Sequence, residues 1–312
     1  MMKKRLVSIS TWILVLGAGA VGAQQAGPAT AGEKAQILGH EKPTQHNVHY
    51  LDENGQIQRG TRCSTPESTD AEKARVRAEV EAWLDSHFLL KTATVIPVAF
   101  HVVHNSSEGD VTTTQINDQI DVLNTAFAGT AFSFYLASTD YTNSNNWFTR
   151  CGQTGWEKKM KKALAIDPAH TLNLYTCKPG QGAFGWSYMP WSYSEDSYWH
   201  GPVVHFQTLP GGTYAPFNLG DTATHEVGHF LGLWHTFEGG CNNNNEGVDD
   251  TPPEASAASG CPVGRDTCAG DGPDPIHNFM DYTDDACIYE FTPGQDTRMQ
   301  TMTATYRPSL GT

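Results

Sequence analysis

The chain has 312 residues, 34 acidic against 20 basic side chains, a net charge of −14 and a hydrophobic content of 38%. That charge excludes a general electrostatic attraction to nucleic acid or to an anionic membrane, and the apolar content excludes a disordered chain. Thirty glycines and 17 prolines predict many loops, and the length permits one or two domains.

Residues 1–23 read as a secretory signal. Lys3, Lys4 and Arg5 precede an apolar stretch over 6–16, and small residues end at Ala23, which suits cleavage before Gln24. The apolar run is too short for a permanent membrane span, so the mature protein is expected to be secreted, extracellular and soluble. Residues 24–90 start polar and loop-like, with Gly27, Pro28, Gly32, Gly39 and Pro43 interrupting regular structure. From Thr69 the pattern turns helical, with Ala71, Ala74, Ala78 and Trp83 recurring on its faces. Residues 95–103 (VIPVAFHVV) predict a buried strand. Ile116, Ile120, Leu123 and Phe127 form one helical stripe. Phe132, Phe134 and Leu136 alternate with Ser133 and Tyr135, as in a half-buried strand. A basic helix over 156–164 and a short strand over 171–175 follow. Residues 202–209 (PVVHFQTL) predict an edge strand that could bind an extended peptide by strand addition. This alternation suggests an α+β or α/β sheet domain. Gly, Pro, Asn and Asp dominate over 238–285, which should be irregular.

The chemistry concentrates in 225–235, HEVGHFLGLWH. Asp221 or Thr222 can cap a helix entering it. His225 and His229, four apart, stand on one helix face and can share a metal. Glu226 sits where its carboxylate reaches a water at that metal without being a ligand. Gly232 can end the helix in a conformation other residues resist, turning the chain so that His235 supplies a third nitrogen. Three protein ligands leave a fourth position open, the mark of a catalytic rather than a structural zinc. His205, His101 and His104 are read as structural or exposed residues, not ligands.

This segment matches the metzincin pattern HExxHxxGxxH. Met280, in Asn278-Phe279-Met280-Asp281-Tyr282, suits the Met-turn that such enzymes place beneath zinc, and Tyr282 matches a tyrosine that approaches the metal in several of their families. More closely, the chain resembles the pappalysin-like metzincins, including secreted microbial members. The resemblance is carried by Asn218-Leu219-Gly220, His235-Thr236-Phe237, Gly239-Gly240-Cys241, Asp250-Thr251-Pro252 and the 278–282 turn. It implies an α+β metzincin fold with a mixed, mostly parallel sheet, backing and active-site helices, and an irregular lower subdomain. It implies a catalytic domain over 91–312 that hydrolyses peptide bonds in proteins through a zinc-activated water. Glu226 would be the general base and Tyr282 a donor to the oxyanion.

An exported chain favours disulfides, and seven cysteines cannot all pair. Cys241, Cys261, Cys268 and Cys287 allow three pairings, of which the resemblance favours Cys241–Cys268 and Cys261–Cys287. Cys151 and Cys177 could form a third bridge. Cys63 is left over and reads as a zinc ligand of the latent form, a cysteine-switch-like inhibitor in a propeptide over 24–90. Relatives tend to have Gly where this chain has Ser64, and the alternative is a free thiol in a flexible leader. Residues 91–312 carry 24 acidic and 10 basic groups, and 12 of the acidic ones fall in 236–290 against Arg265 alone. Glu246, Asp249, Asp250 and Thr251 are the calcium candidates there, the alternative being a solvated acidic surface.

The leading expectation is a secreted zinc endopeptidase made as a zymogen, acting on protein or peptide substrates, with no nucleic acid partner and no membrane span. The alternatives are a processing protease of narrow specificity, an inactive zinc-bearing adhesion module, and a hydrolase of a non-peptide bond.

Overall fold

The computed structural model describes residues 47–87, 93–242, 245–270 and 272–312. The expected signal over 1–23, residues 24–46 of the leader and its expected end near residue 90 lie outside them. Where composition predicts loop, the leader folds into an antiparallel hairpin of β1 (Asn47–Leu51) and β2 (Ile57–Thr61). Its turn is locally encoded. The Asp52 carboxylate accepts the N–H groups of Asn54 and Gln56, and Gly55 adopts φ +70°. Helix α1 (Asp70–Leu84) follows, capped by the Thr69 hydroxyl.

Continuously buried runs in β3 (Thr94–His104) and β5 (Leu172–Cys177) and an alternating one in β4 (Phe132–Asn143) then build one sheet. Strand β3 lies between β4 at one edge and the central β5, beyond which come β7 (Val203–His205) and β6 (Gly185–Trp186). The order is β4-β3-β5-β7-β6, parallel throughout except for β6, which runs antiparallel to β7 at the edge. Helix α2 (Thr113–Ala126), started by a Thr112/Gln115 capping box, packs Ile116, Ile120 and Leu123 against Ile96, Val98, Phe100 and Val102. Helices α3 (Asn145–Arg150) and α4 (Thr154–Leu164) cover Val103 and Tyr175 on the opposite face with Phe148 and Met160. Each large apolar side chain so buried contributes about 1.5–3 kcal/mol.

The expected edge strand over 202–209 is corrected on two points. Only Val203–His205 is strand, because the chain turns at Phe206–Thr208, and β6 lies outside it. Helix α5 (Asp221–Phe230) lies under the sheet and shares the α2 core through Ala223, Val227 and Phe230. Between α5 and α6 (Pro293–Tyr306), the described residues form turns and one isolated bridge, Asn278 with Glu290, but no helix or strand. Disulfides join Cys241 to Cys268 and Cys261 to Cys287 in this lobe, and Cys151 to Cys177 beside β5. A lobe with so little regular structure depends on such cross-links, worth about 2–4 kcal/mol each.

Candidate active site

Helix α5 is buried along its whole length. Gly220 precedes it at φ +102° without a side-chain cap, so neither Asp221 nor Thr222 has the expected capping role. Asp221 is instead the first helical residue and accepts the Thr224 hydroxyl. His225 Nδ1 faces the Phe279 carbonyl oxygen at 2.7 Å, and His229 Nδ1 faces that of Leu233 at 2.8 Å. Donating there leaves each Nε2 with its lone pair free for a metal. Gly232, at φ +102°, reverses the chain; a Cβ at this residue would strike Met302. The reversal brings His235 Nε2 to 3.0 Å from His229 Nε2, while His225 Nε2 is buried with no hydrogen-bond partner. Burial and the neighbouring imidazoles hold His225 and His229 neutral, well below the usual histidine range. Facing lone pairs in a dry pocket repel unless a cation lies between them, so this donor set fits zinc.

The lobe supplies the floor. Met280 is fully buried and occupies the space where a Cβ on Gly228 of α5 would lie. The Met280 N–H donates to Asn278 Oδ1, and the Asn278 and Gln295 side-chain amides bond each other at 2.8 and 3.0 Å. Tyr282 OH reaches His235 Nε2 at 3.0 Å. Glu226 is buried beside the histidines, and burial pushes its carboxyl up to about 8, held back by the Cys63 and Thr65 side chains. The Thr65 hydroxyl donates to Glu226 Oε2 at 3.2 Å. Gly185 of β6 leaves room for this carboxylate, since a Cβ there would sit 2.9 Å from Glu226 Cγ.

The leader fills the cleft. Thr61 bridges Ala183 in parallel, the Phe184 N–H donates to the Thr61 carbonyl at 2.9 Å, and the Ser64 N–H donates to the Gly185 carbonyl at 2.8 Å. Strand addition therefore occurs on β6, not on 202–209. Cys63 Sγ lies 3.6 Å from His229 Nε2 and forms one buried group with His225, His229 and His235, all four ligand atoms within 4.8 Å of one another. Burial, then the Glu226 charge, pushes the thiol up; a divalent cation acts in the opposite direction.

Sequence reasoning missed several residues of this cleft. Arg62 enters a buried pocket, donating to Thr222 Oγ1 and, at 2.8 Å, to Asp285 Oδ1, with the Phe217 ring 4.7 Å from its guanidinium carbon. Thr65, Gly185 and Asp285 were likewise without a local signal, because each acts through a partner distant in sequence.

The calcium candidates separate. Asp249, Asp250 and Thr251 line a cleft of about 320 Å³ with Asn242 and Asn245. Asp250 accepts from Thr292 Oγ1 and the Gly294 N–H at the start of α6. Glu246 is not in that lining; it is buried, and burial pushes its carboxyl up to about 8 against the Arg298 charge. His205 and His101 are buried away from the histidine group. His205 stacks on Tyr214 at 4.3 Å, and His101 bonds Asp140 and Asn173. His104 is partly buried against the Asn105 carbonyl.

This combination of fold and donor set is that of a metzincin metallopeptidase. A family model described as pregnancy-associated plasma protein-A matches residues 157–304. The chain is 49% identical over 224 residues to an extracellular metalloprotease of Sordaria macrospora, covering 70% of this chain and 77% of that protein. It is 45% identical over 258 residues to one of Verticillium alfalfae, covering 78% and 89%. Among solved structures it is similar to a promirolysin mutant of Tannerella forsythia, with TM-score 0.64 and 25% identity over 80% of this chain and 96% of that one. Mature mirolysin in complex with a cleaved peptide aligns with TM-score 0.59 and 27% identity over 69% and 96%. The chain belongs to the pappalysin family of metalloproteases, and its substrates are therefore proteins or peptides. No helix among the described residues is long and apolar enough to cross a membrane.

Proposed function

We propose that the protein is a secreted zinc endopeptidase made as a latent zymogen, with residues 1–23 as export signal, 24–90 as propeptide and 91–312 as the catalytic domain. The observation that carries the reading is the path of 61–65, which pairs in parallel with the 183–185 edge and sets Cys63 among the three histidines. The promirolysin likeness covers 80% of this chain against 69% for the mature form, and that difference supports a leader present only in the precursor. Export is supported by the extracellular naming of the relatives.

Zinc held by His225, His229 and His235 would supply the Lewis acidity that acidifies water and polarises a carbonyl. Glu226 takes the proton from the attacking water and returns it to the leaving amine. The Tyr282 hydroxyl, beside His235, donates to the developing oxyanion. β6 orients the substrate through its backbone. The pocket that Arg62 fills is floored by Asp285 and accepts a basic substrate side chain. In the latent chain Cys63 occupies the position that the attacking water needs.

The cleft that Asn242, Asn245, Asp249, Asp250 and Thr251 help line supports a structural calcium site, with Glu246 outside it.

Casein and a peptide library, incubated with the processed protein with and without a zinc chelator, test the activity. Cleavage should stop on chelation and in Glu226→Ala; equal cleavage by Glu226→Ala sinks the mechanism. N-terminal sequencing tests the zymogen, since an active form that begins before Cys63 contradicts it.

A further inference from the structure

The three histidines differ in what faces their outer nitrogens. For His225 and His229 it is a main-chain carbonyl, fixed by the fold. For His235 it is a side chain, Glu238, whose Oε2 lies 3.7 Å from Nδ1. Glu238 is 2% exposed, and its other oxygen is held by the leader. The Ser68 N–H donates to Oε1 at 2.8 Å, and Lys73 Nζ lies 3.5 Å from the same atom. Lys73 is buried on α1, 5.7 Å from the Trp234 ring, with Val76 one turn further along the same contact. The Trp234 indole N–H donates to Ser68 Oγ, that of Trp191 to Glu72, and the Tyr306 hydroxyl to Glu79. The docking of α1 and the orientation of the third imidazole thus meet in one carboxylate.

We infer that Glu238 is a positioning residue for His235 and that the leader helix competes with the imidazole for its charge. The inference rests on the reading of 24–90 as a removable propeptide. While α1 is docked, Ser68 and Lys73 hold the carboxylate. When α1 leaves, the carboxylate loses both Ser68 and Lys73, and His235 Nδ1–H, 3.7 Å from Oε2, is the protein donor that remains beside it. A carboxylate on the outer nitrogen of a ligating histidine fixes the ring and raises its basicity. Release of the leader therefore strengthens one zinc ligand at the moment Cys63 is withdrawn. By linkage, zinc bound at His235 weakens the hold of α1 to the same extent.

Zinc transfer to an excess of dipicolinate tests this in the uncut chain and in the chain after processing, with near-ultraviolet circular dichroism reporting the fold. In the processed chain, Glu238→Gln should weaken zinc about 10- to 100-fold and Glu238→Asp should restore most of it. In the uncut chain the Glu238→Gln effect should be much smaller, and Lys73→Met should tighten zinc by freeing the carboxylate. Equal zinc affinity of wild-type and Glu238→Gln processed chains overturns the positioning role. An equal loss in both forms, or no effect of Lys73→Met, overturns the competition. If Glu238→Gln does not fold, Glu238→Asp and Lys73→Met decide the matter. The zymogen reading fails by a different result, retention of residues 63–87 in the active protein.

Discussion

Arg62 and Asp285 form an ion pair at 2.8 Å, with both side chains fully withdrawn from solvent. The Leu219 N–H donates to the second carboxylate oxygen at 2.9 Å, and Asp221, raised to about 7 by burial and then by the Asp285 charge, lies alongside. Removing one partner of such a pair leaves a buried charge uncompensated. On the proposed removal of 24–90 the missing partner would be Arg62, and a basic substrate side chain would be its natural replacement. Asp285→Asn should therefore lower kcat/KM for peptides with Arg or Lys beside the scissile bond by about 30-fold or more, on the scale of 2–5 kcal/mol for a desolvated charge pair. Peptides with apolar residues at that position should change far less. A peptide-library profile unchanged by the substitution refutes the assignment.

Cys63 is buried in an apolar contact with Phe237 and Tyr282, and its sulfur accepts the Thr65 N–H at 3.3 Å. That contact keeps the sulfur directed at the histidines. Cys63→Ser retains the shape but replaces a strong zinc ligand with a weak one. The uncut Cys63→Ser chain is expected to cleave casein measurably where the uncut wild type does not, and to bind zinc less tightly. A variant as inactive as the wild type before processing shows that occlusion of β6, rather than the thiol, maintains latency.

The parts of the site legible in the sequence are those encoded within one or two helical turns. His225, Glu226 and His229 need only a helix, and Gly232 followed by His235 needs only a left-handed residue, which the structure provides at φ +102°. Met280 was legible through the family resemblance and not from its own neighbours, because a lone buried methionine otherwise reads as core. Two elements carried equally local signals beneath a misleading composition. Asn54-Gly55 marks the β1–β2 turn within a polar leader. Pro293 with the Thr292/Gln295 capping box starts α6, which buries Gln295, Arg298, Gln300 and Thr301 beside Met299 and Met302, so its short apolar stripe is masked by polar residues that are also buried. The substrate edge was not legible, because β6 is two residues long and has no period to detect. Nor was the Arg62–Asp285 pair, since a buried charge reads as a solvated one until its partner 223 residues away is known.

His205 gives the fold a pH dependence. It is enclosed in β7 against Tyr214, its Nδ1 accepts the Gln207 N–H, and burial followed by the Lys178 charge lowers it to about 3. The folded state therefore keeps the ring neutral while the unfolded chain protonates it near 6.5. Its contribution is fully present above that pH and is lost as pH falls toward 3, at about 1.4 kcal/mol per pH unit. Between pH 6.5 and 5 the loss from this group is about 2 kcal/mol. Denaturant unfolding at pH 7 and pH 5 should show a steeper loss for the wild type than for His205→Asn, whose side chain does not titrate. Parallel losses would mean that the ring takes up its proton without unfolding.

The cleft beside α6 separates a cation site from a merely acidic surface. Asp249, Asp250 and Thr251 line it together with Asn242 and Asn245, and Asp250 also anchors the first turn of α6 through Thr292 and Gly294. A cation here would therefore brace α6, whose Gln295 holds Asn278 and, through it, the Met-turn. Calcium at one hundred times its dissociation constant stabilises the folded state by about 2.7 kcal/mol. For a domain of this size that corresponds to roughly 5–10 °C in Tm. EGTA at a level that spares zinc should lower Tm by that amount, and calcium should restore it. Asp249→Asn should abolish most of the shift. Glu246→Gln should leave it intact, because Glu246 is buried outside the cleft lining. An unchanged Tm on chelation assigns the charge density of this lobe to solvation alone.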